Sequence, residues 1–296
     1  MSSTTSELTA PLPAPRRRVT ALRGAGRWTL LGIPAVLFLL AFFGVPLARM
    51  AVTSLTDPGP SNYLMFVESS LYVRVLGTTF RTAVTVTAIC LVLGYPYAFA
   101  MHRAGPRAAA LLTVAVLFPF WSSLLVRTYA WTVLLQDSGV INDVLQDLGL
   151  TDRPLALMRN ALGVTIGMSQ ILLPFMILPI YAVMRRIPPD LTPAAASLGA
   201  PPFTAFRRVF LPLSLPGVYV GCLLVFVLAL GFYITPALLG SPRDAMLSEL
   251  IVNEVSQQLD FGAGAALAMV LLLLTLVLLW VASRRVHLGD ALGGGE

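Results

Sequence analysis

Charge is scarce in this chain: 11% of its 296 residues are Asp, Glu, Lys or Arg, whereas 57% are hydrophobic. Mean hydropathy is +0.81, more apolar material than a water-soluble core of this length uses, so the solvent is lipid. Lysine is missing altogether, and all twenty basic residues are arginine. Two histidines, His102 and His287, exclude a His-rich metal centre and read as interfacial residues at helix ends. Two cysteines, Cys90 and Cys222, set no disulfide framework; both lie in apolar runs as small hydrophobes. No G-x-x-x-x-G-K-[ST] phosphate loop and no G-x-S-x-G elbow occurs, which excludes a nucleotide site of the first kind and a serine nucleophile of the second. The alternating segments of a transmembrane barrel are lacking as well.

Long apolar runs are present. A hydrocarbon layer ~30 Å thick takes about 20 apolar residues per helical crossing, and six such runs occur, at 29–52, 76–101, 108–134, 162–184, 214–238 and 262–283. In lipid such runs satisfy their backbone groups only as helices. The expected fold is an all-α membrane protein with six transmembrane helices. Arginine sets the expected orientation: thirteen of the twenty fall in the N-terminal segment, the loops after the second and fourth runs, and the tail. Ten of the fourteen acids fall on the other side. The positive-inside rule then places both termini in the cytoplasm of a multi-pass inner-membrane protein. The same rule accounts for the net charge of +6 without nucleic acid as a partner. Arg16, Arg17 and Arg18 precede the first run as in an export signal, but no A-x-A-like cleavage site follows, and its length suits a retained anchor.

Residues 1–27, rich in Ser, Thr, Pro and Arg, read as a disordered basic cytoplasmic tail. Residues 28–286 form the membrane domain, with a long loop at about 186–213, and residues 287–296 form a second tail. Between the third and fourth runs, GVINDVLQDLGL sets Val140, Ile141, Val144, Leu145 and Leu148 against Asn142, Asp143, Gln146 and Asp147, an amphipathic helix on the outer surface. DAMLSELIVNEVSQQLDFG predicts a second short helix at the outer mouth through Leu247, Leu250, Ile251 and Val255.

The loop after the fourth run, IPPDLTPAAASLGAPPFTAFRRVFLPLSLPG, has readable physics. Thr192 can cap a helix that begins at Pro193, where the missing N–H is harmless. Ala194 to Leu198 continue it and Gly199 ends it. Pro201 or Pro202 opens a second short helix with Phe203, Phe206 and Phe210 on one face, and Pro212 and Pro216 close it before the fifth span. Three exposed phenylalanines on such a loop point to docking.

This stretch resembles the EAA loop of binding-protein-dependent ABC importer permeases, written E-A-A, three residues, Gly, nine residues, I-x-L-P. Ala194, Ala195, Gly199, Leu211 and Pro212 fall on the pattern, Val209 replaces the isoleucine, and the family's glutamate is Pro193. PFWSSLLVRTYAWTVLLQDSGVIN, LLPFMILPIYAVMRRIPP and LGFYITPALLGSPRDAML resemble the spermidine/putrescine branch of the family.

The resemblance implies a type I permease fold, no enzymatic activity and no cofactor, since ATP-Mg binds to a partner ATPase dimer. It also implies a second homologous permease, an external substrate-binding protein, and a polyamine as substrate; loops of this kind also serve iron, phosphonate and opine uptake. Thr192, Pro193, Ala194, Ala195, Gly199, Phe203, Phe206, Leu211 and Pro212 are then the ATPase-coupling residues.

A polyamine path needs carboxylates and aromatic faces. Arg127, Tyr129, Trp131, Asp137, Tyr233, Glu249, Glu254 and Asp260 are the residues of that kind near the outer mouth. Interfacial aromatics and solvated loop acids read equally well without a path, and Arg127 in the membrane must snorkel, pair with an acid or line a wet cavity.

Overall fold

The computed structural model describes residues 33–285; the two tails, His287 and the first residues of the first run lie outside them. Among the described residues every regular element is helical. The order is α1 (Ile33–Thr56), α2 (Ser70–Arg103), α3 (Pro106–Trp121), α4 (Leu124–Leu135), α5 (Val140–Asp147), α6 (Ala161–Met184), α7 (Leu191–Ser197), α8 (Pro202–Leu230), α9 (Ile234–Leu239), α10 (Leu247–Asn253) and α11 (Phe261–Arg285). The chain divides into two units, residues 1–49 and 50–296. The described part of the first is helix with a π turn at Leu40–Gly44. All that follows concerns the second.

Five helices are long and apolar enough to cross a membrane, and the number is six when Pro106–Trp121 and Leu124–Asp147, a pair bent by 96°, are taken as one span. The expected single helix over 108–134 is therefore two. The break follows from local chemistry: Pro119 sits in a 3-10 turn, and the Ser122 N–H and Oγ both donate to the Pro119 carbonyl, at 3.1 and 2.8 Å. Ser123 is then extended (φ −59, ψ 145) and α4 restarts.

A second correction concerns the fifth span. Pro212 and Pro216 do not close a separate helix; α8 runs unbroken from Pro202 through a π turn at Phe206–Phe210 to Leu230. Pro202 occupies the first turn, where no N–H is needed, and the wide turn precedes Pro212, a common place for such bulges. The span stops at Gly231 rather than near 238, and α9 begins separately.

The core forms where α2, α6 and α8 pack together. α6 contributes Met168, Leu172, Met176, Ile177, Ile180 and Met184, all buried. Lipid supplies no hydrophobic drive between helices, so close van der Waals approach has to hold them. Gly217 permits it: a Cβ there would stand 2.9 Å from Ile180 Cα and 3.0 Å from the Pro179 carbonyl oxygen. Polar clips fix the register. Tyr95 and Ser214 pair their hydroxyls at 2.9 Å between α2 and α8. Thr128 and Thr235 do so at 3.3 Å between α4 and α9, and the Leu247 N–H donates to Thr79 Oγ1 at 2.9 Å, tying α10 to α2. Cys90 is buried and Cys222 half-buried, both free.

The amphipathic α5 forms, but its polar side is not all outward. Asn142 is buried, donating to the Gln136 and Leu155 carbonyls and accepting from the Leu155 N–H. Val140, Val144 and Leu148 stay exposed on the apolar side. One amide that satisfies three backbone groups is what turns inward from the polar side.

Candidate functional site

At one end of the bundle the loop between α6 and α8 carries α7. Its first bond runs from the Ala194 N–H to the Asp190 carbonyl at 2.9 Å, so Asp190, not Thr192, is the cap residue, and it gives no side-chain bond. Thr192 and Pro193 sit inside the first turn, where proline is still harmless. The other end is as expected. Gly199 has φ +85, with its N–H on the Ala196 carbonyl at 2.9 Å and the Ala200 N–H on Ala195 at 3.1 Å, a Schellman closure. A Cβ at Gly199 would meet nothing within 4 Å, so glycine is required by conformation and not by space. Ala194 is exposed and Ala195 half-buried.

The three phenylalanines differ from the expectation of a shared exposed face. Phe203 is 72% exposed, but Phe206 is half-buried and Phe210 buried. Both turn onto α2: Phe99 lies edge-on to Phe206 at 5.4 Å and to Phe210 at 5.3 Å, and His102 packs on Phe210 at 5.1 Å. Because α8 is continuous, its i, i+3, i+7 face packs against a neighbouring span. Leu211 is half-buried and Pro212 exposed just beyond. Beside these rings lies a cavity of about 890 Å³ walled by α2 residues Phe99, His102 and Arg103, by Thr192, Pro193 and Ala196 of α7, and by Phe203 and Phe206 of α8. Phe99 and Arg103 belong to this wall, although only their place near the end of an apolar run marks them in the sequence. The Arg103 guanidinium lies 5.8 Å over the Phe99 ring.

At the opposite end, the connection between α8 and α11 encloses about 470 Å³. Tyr233, Glu249, Asn253 and Gln257 line it together with Ser241 and Leu250. Burial pushes the Glu249 carboxyl above its ordinary range, opposed by a hydrogen bond from the Met246 backbone. Glu254 is buried but is not part of this wall, and its carboxyl is raised first by burial and then by the charge of Asp260. Asp260 itself caps α11, its Oδ1 accepting from the Ala263 N–H at 2.8 Å.

The other sequence candidates stand apart from this cavity. Trp131 Nε1 donates to Gln170 Oε1 at 3.3 Å, Tyr129 is 67% exposed, and Asp137 is exposed beyond α4. Arg127 stacks over Phe120 at 5.8 Å, and its Nε and Nη1 are buried without a hydrogen-bond partner. The structure thus brings Tyr233 and Glu249 together and leaves Arg127, Tyr129, Trp131 and Asp137 elsewhere. No cluster of three metal-ligating side chains occurs among the described residues.

Long apolar helices, a helical loop after α6 and a polar cavity between α8 and α11 are the features of a membrane transport subunit. The chain belongs to the family of binding-protein-dependent transport system inner membrane components, whose model matches residues 98–287. It is 34% identical over 266 residues, 85% of this chain and 93% of the relative, to the spermidine/putrescine transport system permease protein PotB of Haemophilus influenzae. It is 36% identical over 227 residues, 72% of each chain, to the inner membrane ABC transporter permease protein YdcU of Escherichia coli. The fold is that of a chain of a bacterial alginate ABC transporter solved in complex with an alginate-bound periplasmic protein, with a TM-score of 0.69 at 20% identity over 88% of this chain and 96% of that one. The protein is a multi-pass inner-membrane permease subunit of an ABC importer and works with a substrate-binding protein.

Proposed function

We propose that this permease imports an aliphatic polyamine of the spermidine/putrescine class, released by the binding protein at the end of the bundle that holds Tyr233 and Glu249. The observation that carries the reading is the meeting of these two residues in one cavity, with the Asn253 and Gln257 amides beside them. A carboxylate pairs with an ammonium, an aromatic face attracts a cation, and amides orient the chain between amines. Two relatives named for spermidine and putrescine transport, each about a third identical, support it.

In this reading α7 docks on a cytoplasmic ATPase dimer, which binds ATP-Mg and closes to drive alternating access. A second, homologous permease completes the path, and both termini are cytoplasmic. Thr192, Pro193, Ala194, Ala195, Gly199, Phe203, Phe206, Leu211 and Pro212 form or brace the docking surface, and this chain needs no cofactor of its own. Uptake of labelled putrescine, spermidine and ferric iron in a strain lacking the chain, with and without the gene restored, tests the substrate class. Restored amine uptake is expected; restored iron uptake with no amine uptake overturns it.

A further inference from the structure

The groove beside α7 is cationic in an unbalanced way. Its wall contains His102 and Arg103 but no aspartate or glutamate. The only acid in the described segments 103–107 and 185–211 is Asp190, which is exposed and outside the wall. The same segments hold Arg107, Arg185, Arg207 and Arg208. Pro193, which stands where the loop pattern calls for glutamate, is part of the wall. The groove thus has, in Arg103, a cationic partner for a carboxylate and lacks the carboxylate. Arg103 rests on the Phe99 face, a contact that fixes the guanidinium while its N–H donors stay available. At about 890 Å³ the space takes several side chains, and its Phe99, Phe203 and Phe206 rings suit an apolar shaft leading to a charged tip.

We propose that this groove receives a carboxylate-bearing segment of the cognate ATPase, so that the acid of the coupling contact comes from the ATPase side. The proposal rests on the docking reading above. A basic, aromatic-walled recess selects an acidic partner by complementary charge, and such a contact weakens with salt.

The test measures ATPase binding to the purified permease complex in nanodiscs across a potassium chloride series. Arg103→Glu should weaken binding at least tenfold at low salt and Arg103→Gln several-fold, each with a flatter salt dependence than the unaltered complex. Arg103→Gln serves if the charge reversal does not fold. Pro193→Glu, which places a carboxylate inside the groove, should weaken binding rather than strengthen it.

If the Arg103 variants bind normally with an unchanged salt slope while Phe203→Asp abolishes binding, docking stands and the acidic occupant is overturned. If Phe203→Asp and Gly199→Val also bind normally, the docking reading itself fails. If the Arg103 effect appears only with anionic phospholipid and vanishes in neutral lipid, the occupant is a lipid headgroup and the proposal falls.

Discussion

The two ends of the bundle carry opposite charge and are built in opposite ways. The end at α7 is walled by aromatic rings and two basic side chains without an acid, whereas the far cavity has Glu249, a tyrosine and two amides without a basic group. At the α7 end the loop helix itself is set by helix-end chemistry, a left-handed glycine and a proline-tolerant first turn, while the rings beside it are held by α2. At the far end it is set by tertiary clips such as Thr79 on Leu247 and Ser248 Oγ on the Phe232 carbonyl at 2.6 Å. A locally encoded surface suits a part that is docked and released as a unit. A cavity assembled from several elements suits a part whose shape changes when those elements move.

Substitutions can break or sharpen this contrast. The largest effect is expected where the two ends are joined. Gly217→Leu drives a side chain into Ile180 and the Pro179 carbonyl and should cost about 3 kcal/mol through overpacking, read as a large drop in the melting temperature of the detergent-solubilised complex; an unchanged melt would mean that α6 and α8 are not held by this contact. Next comes Glu249→Gln, expected to raise the KM for a diamine about tenfold, the worth of one charged hydrogen bond, with the ATPase still coupled.

Gly199→Val forces a β-branched residue to φ +85, a strain of about 1–2 kcal/mol. Uptake should fall several-fold while ATP hydrolysis continues, the reverse of the Glu249 pattern; loss of both together would erase the distinction between the ends. Asp260→Ala removes the α11 cap and should lower stability by about 1 kcal/mol without a change in substrate preference.

The smallest effect concerns pH. Burial raises the Glu249 carboxyl, and a raised acid holds its proton more tightly in the folded chain. Its cation-binding charge is therefore lost at a less acid pH than that of an exposed glutamate. Diamine uptake should decline early on acidification, and Glu249→Gln should flatten that limb of the profile.

The spans were legible because lipid leaves one solution for 20 apolar residues. The break between α3 and α4 was not, since the composition stays apolar across Ser122 and Ser123 and the cause is a pair of hydrogen bonds to the Pro119 carbonyl. The end of α7 could be read from Gly199, a local signal, while the burial of Phe206 and Phe210 depends on α2, about a hundred residues earlier in the chain. Tyr233 and Glu249 were visible as residue types but not as neighbours, because the turn that joins them has no periodic pattern. Asp260 was readable in another way: an acid directly before an apolar run is a helix cap, and the structure uses it so.

α8 is one uninterrupted helix of 29 residues, about 43 Å long. It starts in the groove wall at Pro202 and ends at Gly231, two residues before Tyr233. A rod of that length is a lever: a tilt of about 5° at the groove would carry the far tip by about 4 Å, enough to open or seal a passage the width of a methylene chain. The prolines at 212 and 216 leave it unbroken, so a displacement at its Pro202 end is carried toward Tyr233, with the π turn at Phe206–Phe210 as the place most able to flex.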